Sequence, residues 1–287
     1  MAWHGQLDLH YRHSGRDPAD TRQRTIAHDR HNGPLRVLQS LYPEGDAICH
    51  HVLVHPPGGV VGGDVLNIHA RLESGAHALI TTPGATRFYR SAGEHALQTI
   101  TADVADGARL EWLPLESIAH SGCMAENRMQ FNLQSGAGSG AEMMGWDVLA
   151  LGLPASNLAF ERGTFTQRIE FPGRWLERGV MDAADTRLLD GAVGWAGHRV
   201  MGSLWFAVGG SLPSQRRDSL LDIARAVVDA HALRSTAGVT SAHEGIIVLR
   251  ALAHRVEPLM QLMTAVWAAW RRDAWQLEGT APRVWRT

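Results

Sequence analysis

Three strings of this chain, SGAHALI, DGARLEW and SGAEMMG, begin at turn glycines separated by nearly constant distances. Gly75, Gly107 and Gly140 lie 32 and 33 residues apart; Gly173 follows after a further 33, and Gly45 precedes the set by 30. Gly45 and Gly173 share only the turn and a following apolar strand, as GDAIC and GRWLE. A turn that recurs at fixed period, each time followed by a strand, demands a stack of equivalent coils, because no single unit buries its own apolar face. Thirty glycines offer chance spacings too, but the residues beside the glycines match as well. The fold class predicted is mainly β, a stacked, solenoid-like arrangement of short strands.

The strand pattern agrees. Leu66, Ile68, Ala70 and Leu72 alternate with Asn67, His69, Arg71 and Glu73, and Met129, Phe131 and Leu133 alternate with polar neighbours. Phe165, Ile169 and Phe171 follow the same period less cleanly. Helical spacing occurs only in the C-terminal third. Leu220, Ile223, Ala224 and Val227 share a face within 215–233, and Leu259, Leu262, Met263, Val266, Trp267 and Trp270 share one within 258–277, with GIIVLRAL between them as a buried strand. The face of the second helix is expected to pack on the sheet; Trp275 and Trp285 are more aromatic material than one helix usually buries, and a partner surface is the alternative. Residues 1–34 carry two HxxH pairs, His10 with His13 and His28 with His31, but Asp17-Pro18 and a polar composition predict an irregular segment. The whole of 1–287 reads as one domain.

Composition narrows the function. Apolar residues make up 45% and charged ones 20%, with net charge −2, which gives no electrostatic footprint for nucleic acid or an anionic membrane. All 27 basic residues are arginine. No apolar run long enough to span a bilayer occurs, and no cleavable signal begins the chain, so a soluble cytoplasmic protein is expected. The two cysteines, Cys49 and Cys123, form no CxxC. P-loop, GxGxxG, HExxH and GxSxG patterns are missing. Metal handling fits better, because Cys49, His50, His51 and His55 place thiol and imidazole close together. A metal-dependent hydrolase using the cluster from Cys49 to Asp64 is one reading; ordinary strand residues are the other.

The most distinctive stretch is 55–91. It opens HPPGGVVGGD, where Pro56-Pro57 stiffens the chain and Gly58, Gly59, Gly62 and Gly63 permit close backbone approach, and it closes TTPGATRFYRS. These strings, with LEWLPLESI (110–118), WDVLALGLPAS (146–156) and PRVWRT (282–287), resemble the urease accessory protein UreD (UreH) family over nearly the whole chain. The resemblance implies a non-enzymatic scaffold that works with UreF, with the GTPase UreG through UreF, and with urease apoprotein, and that assists nickel delivery. No cofactor is tightly bound; nickel is in transit, and a homodimer within the complex is compatible with this. An open β-helix-like fold with two helices is implied too.

Acidic residues lining an internal passage are the family's route for nickel. The positions that match its motifs are Asp64, Glu177 in GRWLERG and Glu116 in PLESI, with His55, the four loop glycines, Arg87, Tyr89 and Arg90 as binding residues. Equal offsets from the turn glycines predict that the loops at 55–64, 82–91 and 114–117 and the segment beginning at 177 form one wall. Capping of a turn by Asp64, and ion pairs of Glu177 with Arg174 or Arg178, are the alternatives. The chain departs from the family where His120 and Ser121 replace Phe-Asp after LESI, and where Leu153 and Leu158 replace an Arg and a Glu. A purely structural adaptor is the third reading.

Overall fold

All five spaced glycines adopt positive φ, between 71° and 95°. Gly75, Gly107 and Gly173 each occupy the third position of a four-residue turn closed by a backbone hydrogen bond: Ala76 to Glu73, Ala108 to Ala105 and Arg174 to Phe171. A side chain is disfavoured in that conformation, which is why glycine recurs there.

The structure is a computed structural model that describes residues 2–14, 23–136 and 140–286. Among the described residues of 1–34, most lie in strands. Strands β1 (His4–His13) and β2 (Thr25–Asn32) form an antiparallel pair, and β3 (Arg36–Val37) follows. Leu7, Leu9 and Tyr11 of β1 are buried, whereas β2 is a sheet edge with almost no apolar residues to reveal it. Asp17-Pro18 lies outside the described residues.

The coils then run in order. They comprise β4 (Ile48–Val54) and β5 (Val65–Leu72); β6 (His77–Thr81), β7 (Thr86–Phe88) and β8 (Ala96–Val104); β9 (Arg109–Leu113), β10 (Ser117–Ala119) and β11 (Met124–Leu133); and β12 (Glu142–Leu151) and β13 (Thr164–Phe171). Strands β4, β6, β9 and β12 pair in parallel in one sheet, and β5, β8, β11 and β13 in the other, giving a solenoid-like stack of about three turns. The turn at Gly173 ends the pattern. Pro172-Gly173 folds β14 (Trp175–Asp182) back antiparallel beside β13 in the same sheet instead of starting another coil.

The remaining elements are α1 (Thr186–Asp190), β15 (Val200–Val208), α2 (Ser214–Asp229), β16 (Ala237–His243), β17 (Ile246–Ala253) and α3 (Val256–Trp275). Pro258 sits inside the first turn of α3, where its missing N–H has no partner to lose. That helix ends on Gln276 in the left-handed conformation, three residues before Gly279.

Three layers result. The seven-stranded sheet, ordered β14-β13-β11-β8-β5-β1-β2, faces a ten-stranded sheet across one core. Helices α2 and α3 cover the other face of the ten-stranded sheet with a second core. Trp275 is buried there, and Trp285 packs on Trp146 and Trp267 and donates to Thr81 Oγ1 at 2.7 Å, so these tryptophans complete the interior. Arg271 of α3, fully buried, grips both Glu44 carboxylate oxygens at 2.6 and 2.9 Å and lies 3.1 Å from Glu111. Glu111 also accepts from Trp267 at 2.7 Å and bonds His77 at 2.8 Å. Burial pushes the Glu111 carboxyl up, but His77 and Arg271 outweigh it and hold the group below its usual value.

Candidate functional site

Between the two sheets, polar residues are stacked in register. In the seven-stranded sheet Gln98 of β8, Asn127 of β11 and Gln167 of β13 are direct neighbours across the ladder. Neighbours in register project to one face. That face is the inner one, since Ile100, Met129 and Ile169, two residues further along each strand, belong to the inter-sheet core. In the opposing sheet Asp147 of β12, Ser203 of β15 and Arg250 of β17 form a matching row. Buried polar groups need partners, and the two rows supply them to each other. Gln98 donates to Asn127 Oδ1 at 3.1 Å, Asn127 donates to Asp147 Oδ1 at 3.4 Å, and Gln167 donates to Asp147 Oδ2.

Glu177 closes the file at one end. Its place on β14 turns it inward between Leu176 and Arg178, which face out. Ser203 Oγ donates to Glu177 Oε1 at 2.8 Å, and Arg250 Nε donates to Oε2 at 2.7 Å. The arginine partner therefore comes from 73 residues down the chain, not from Arg174 or Arg178. Arg174 instead donates to the backbone carbonyls of Val208, Gly209 and Gly210.

At the other end the file opens into a cavity of about 230 Å³. Asp147, Asn127 and Gln98 line it among apolar walls that include Leu53, Val60, Ile68 and Met129. Its mouth is made by the loops that equal offsets predicted to stack: His55 with Gly58 and Gly59, Thr82 to Arg87, and Pro114 with Leu115 and Ser117. His55 Nε2 and Trp112 Nε1, both on residues that line the cavity, have no protein partner among the described residues. Burial lowers the pKa of His55, opposed by the nearby Asp64 charge.

Asp147 is the group whose chemistry is most altered. Burial, reinforced by the Glu177 charge and opposed by the Gln167 hydrogen bond, raises its pKa to about 7. Two carboxyl groups in a dry space cannot both ionise freely without a cation between them. Asp147 therefore keeps its proton up to near neutral pH.

The predicted residues divide. Asp64 is 1% exposed and accepts from Trp3 N at 2.7 Å and Val61 N at 2.9 Å. One oxygen thus fixes the glycine loop and the other ties it to Trp3, and Asp64 does not line the cavity. Glu116 is half-buried in the loop between Leu115 and Ser117, beside the mouth. Arg87 lines the mouth, and Tyr89, at its rim, stacks on His120 with centroids 4.9 Å apart. Gly59 lies against the Tyr89 ring, which an added Cβ would strike. Gly58 and Gly63 adopt positive φ, Gly62 lies against Ser91, and Arg90 packs over Gly122. The segment beginning at 177 does not join this wall, because β14 runs antiparallel and Glu177 sits at the far end of the file.

The Cys49–Asp64 cluster does not converge. Cys49 and His51 face the inter-sheet core, where Tyr11 Oη bonds His51 Nδ1 at 2.8 Å, while His50 points to the helix layer and bonds Glu44 at 2.8 Å. Among the described residues no three His, Cys, Asp or Glu side chains are grouped as a metal site.

Asp147, Gln98, Asn127, Gln167, Ser203 and Arg250 were not singled out by sequence. One signal was available: Asp147 is the lone charge within MGWDVLAL, a stretch of β12 otherwise apolar and buried on both faces.

The profile of the family described as UreD urease accessory protein matches residues 4–286. A urease accessory protein UreD of Leptothrix cholodnii is 58% identical over 287 residues, covering 100% of both chains. Those of Paracidovorax citrulli and Variovorax paradoxus are 56% and 57% identical, covering 99% and 100% of both chains. This chain belongs to the UreD urease accessory protein family.

Proposed function

We propose that the chain is a non-catalytic, cytoplasmic scaffold in urease maturation. It bridges urease apoprotein and a UreF–UreG unit, and conducts nickel(II) along the file between its sheets. The observation that carries this reading is the Asp147–Glu177 pair: Asp147 lines the cavity and accepts from the Asn127 amide, Glu177 lies further along the file and accepts from the Ser203 hydroxyl, and the Glu177 charge acts on Asp147. Carboxylate, amide oxygen, hydroxyl and the His55 imidazole all accept nickel(II), and the set offers no thiolate to trap it. Entry of a dication displaces the Asp147 proton, so loading strengthens as pH rises through about 7. Asp64 and Glu116 act at the mouth, the first by shaping the loop.

Complementation of cells that lack this chain tests the reading. Asp147→Asn and Glu177→Gln should each lower urease activity while the protein still co-purifies with UreF and urease subunits. Loss of UreF binding would make these residues interface or folding elements. The purified chain should show no hydrolase turnover with nickel(II) or zinc(II); turnover abolished by His51→Ala would favour the hydrolase reading instead.

A further inference from the structure

Glu177 is 11% exposed, while the Arg250 side chain that covers it is 54% exposed. The guanidinium therefore lies between the end of the file and solvent, with Nε and Nη2 2.7 and 2.5 Å from the same carboxylate oxygen. Single-oxygen contact leaves Glu177 Oε1 to Ser203 alone, and an ion pair this exposed is only weakly held. Three features allow the arginine to leave. Its neighbour in register on β16 is Gly238, where an added Cβ would meet nothing within 4 Å, so no side chain confines it on that flank. The Trp175 ring lies 6.0 Å from the guanidinium carbon and offers a second resting place for a cation. Solvent is open to the rest of the side chain.

We propose that Arg250 is a displaceable gate at the outer end of the polar file. With the file empty, its positive charge neutralises Glu177 and closes the end. A dication arriving at Asp147 and Glu177 repels the guanidinium and takes its place on the carboxylate, and Arg250 swings outward. The gate favours divalent over monovalent cations, because the incoming ion must outcompete a unit positive charge already bonded to the carboxylate. This inference rests on the nickel-passage reading, and Arg250 acts there as a positioning residue.

Nickel(II) alone, titrated into the purified full-length chain by equilibrium dialysis and by thermal melting, tests it. Arg250→Gln should bind nickel(II) roughly two- to five-fold more tightly than the parent, the scale of one half-exposed ion pair. It should also melt lower without metal and gain more from nickel(II), because the ion replaces the missing counter-charge. The gain should vanish in the Arg250→Gln/Glu177→Gln double variant, and Arg250→Lys, which folds with the charge retained, should stay near the parent. Equal or weaker nickel binding by Arg250→Gln, with binding by the parent still dependent on Glu177, overturns the gate and leaves the passage standing. Binding insensitive to both Asp147 and Glu177 overturns the passage and the gate together.

Discussion

Replacing Asp147 by Asn isolates the electrostatic strain stored between the sheets. The carboxyl is 3% exposed, and its pKa rises from an ordinary 3.8 to about 7 through burial and the Glu177 charge. Below pH 3.8 the folded and unfolded chains both hold the proton. Between 3.8 and about 7 the unfolded chain is ionised while the folded one keeps its proton, so this residue's contribution to stability falls by about 1.4 kcal/mol per pH unit. Above pH 7 both states are ionised and the loss is complete, at about 4 kcal/mol. Asn keeps the shape and removes the titration; one of the two facing amides, Asn127 or Gln167, must rotate to match it, which adds an offset that does not vary with pH. Urea unfolding of both proteins from about pH 5 to about pH 8 should show the stability difference moving in favour of Asp147→Asn by about 3 kcal/mol, mostly below pH 7. Carboxylates that do not interact with Asp147 cancel in that difference. A difference flat across the range would refute the account, because it would mean that Asp147 ionises in the folded chain as it does in the unfolded one.

Arg271→Met should destabilise the chain by about 3–5 kcal/mol in urea unfolding at neutral pH, because Glu44 and Glu111 would be left charged and buried without their shared cation. At the turns, Gly107→Ala should cost about 1–2 kcal/mol from positive φ alone, as its Cβ would meet only Ser74 Oγ at 3.4 Å. Gly140→Ala should cost more, since its Cβ would lie 2.6 Å from the Gln134 carbonyl oxygen; equal losses by thermal melting would count against this difference.

The solenoid was legible because its signal is local: a glycine in a positive-φ turn followed by a strand needs no knowledge of distant partners. The same logic misled at Gly173, where an equivalent turn starts a hairpin, since the direction of the next strand depends on which sheet edge is free. Strand β1 was readable in principle from Leu7, Leu9 and Tyr11, but its histidines at helical spacing masked the alternation, and β2 carries no apolar face to read. The candidate site was the least legible part. Its members come from seven strands between Gln98 and Arg250, and register between strands, which no short window encodes, brings them together. Family motifs found Glu177, and neither its neighbour Asp147 nor its true counter-ion Arg250 lies close to it in sequence.

The Arg271 contact with Glu44 joins residues 227 apart. During synthesis at roughly 5–20 residues per second, the first coil waits on the order of 10–45 seconds before the helix that satisfies it leaves the ribosome. Until then Glu44, Glu111, His50 and His77 face water on an uncovered sheet, and the apolar residues beside them have no cover either. The charged residues thus keep the unfinished sheet wetted and averse to pairing with other chains. The last helix converts the same groups into a buried latch, so this sheet is closed only once α3 has been made.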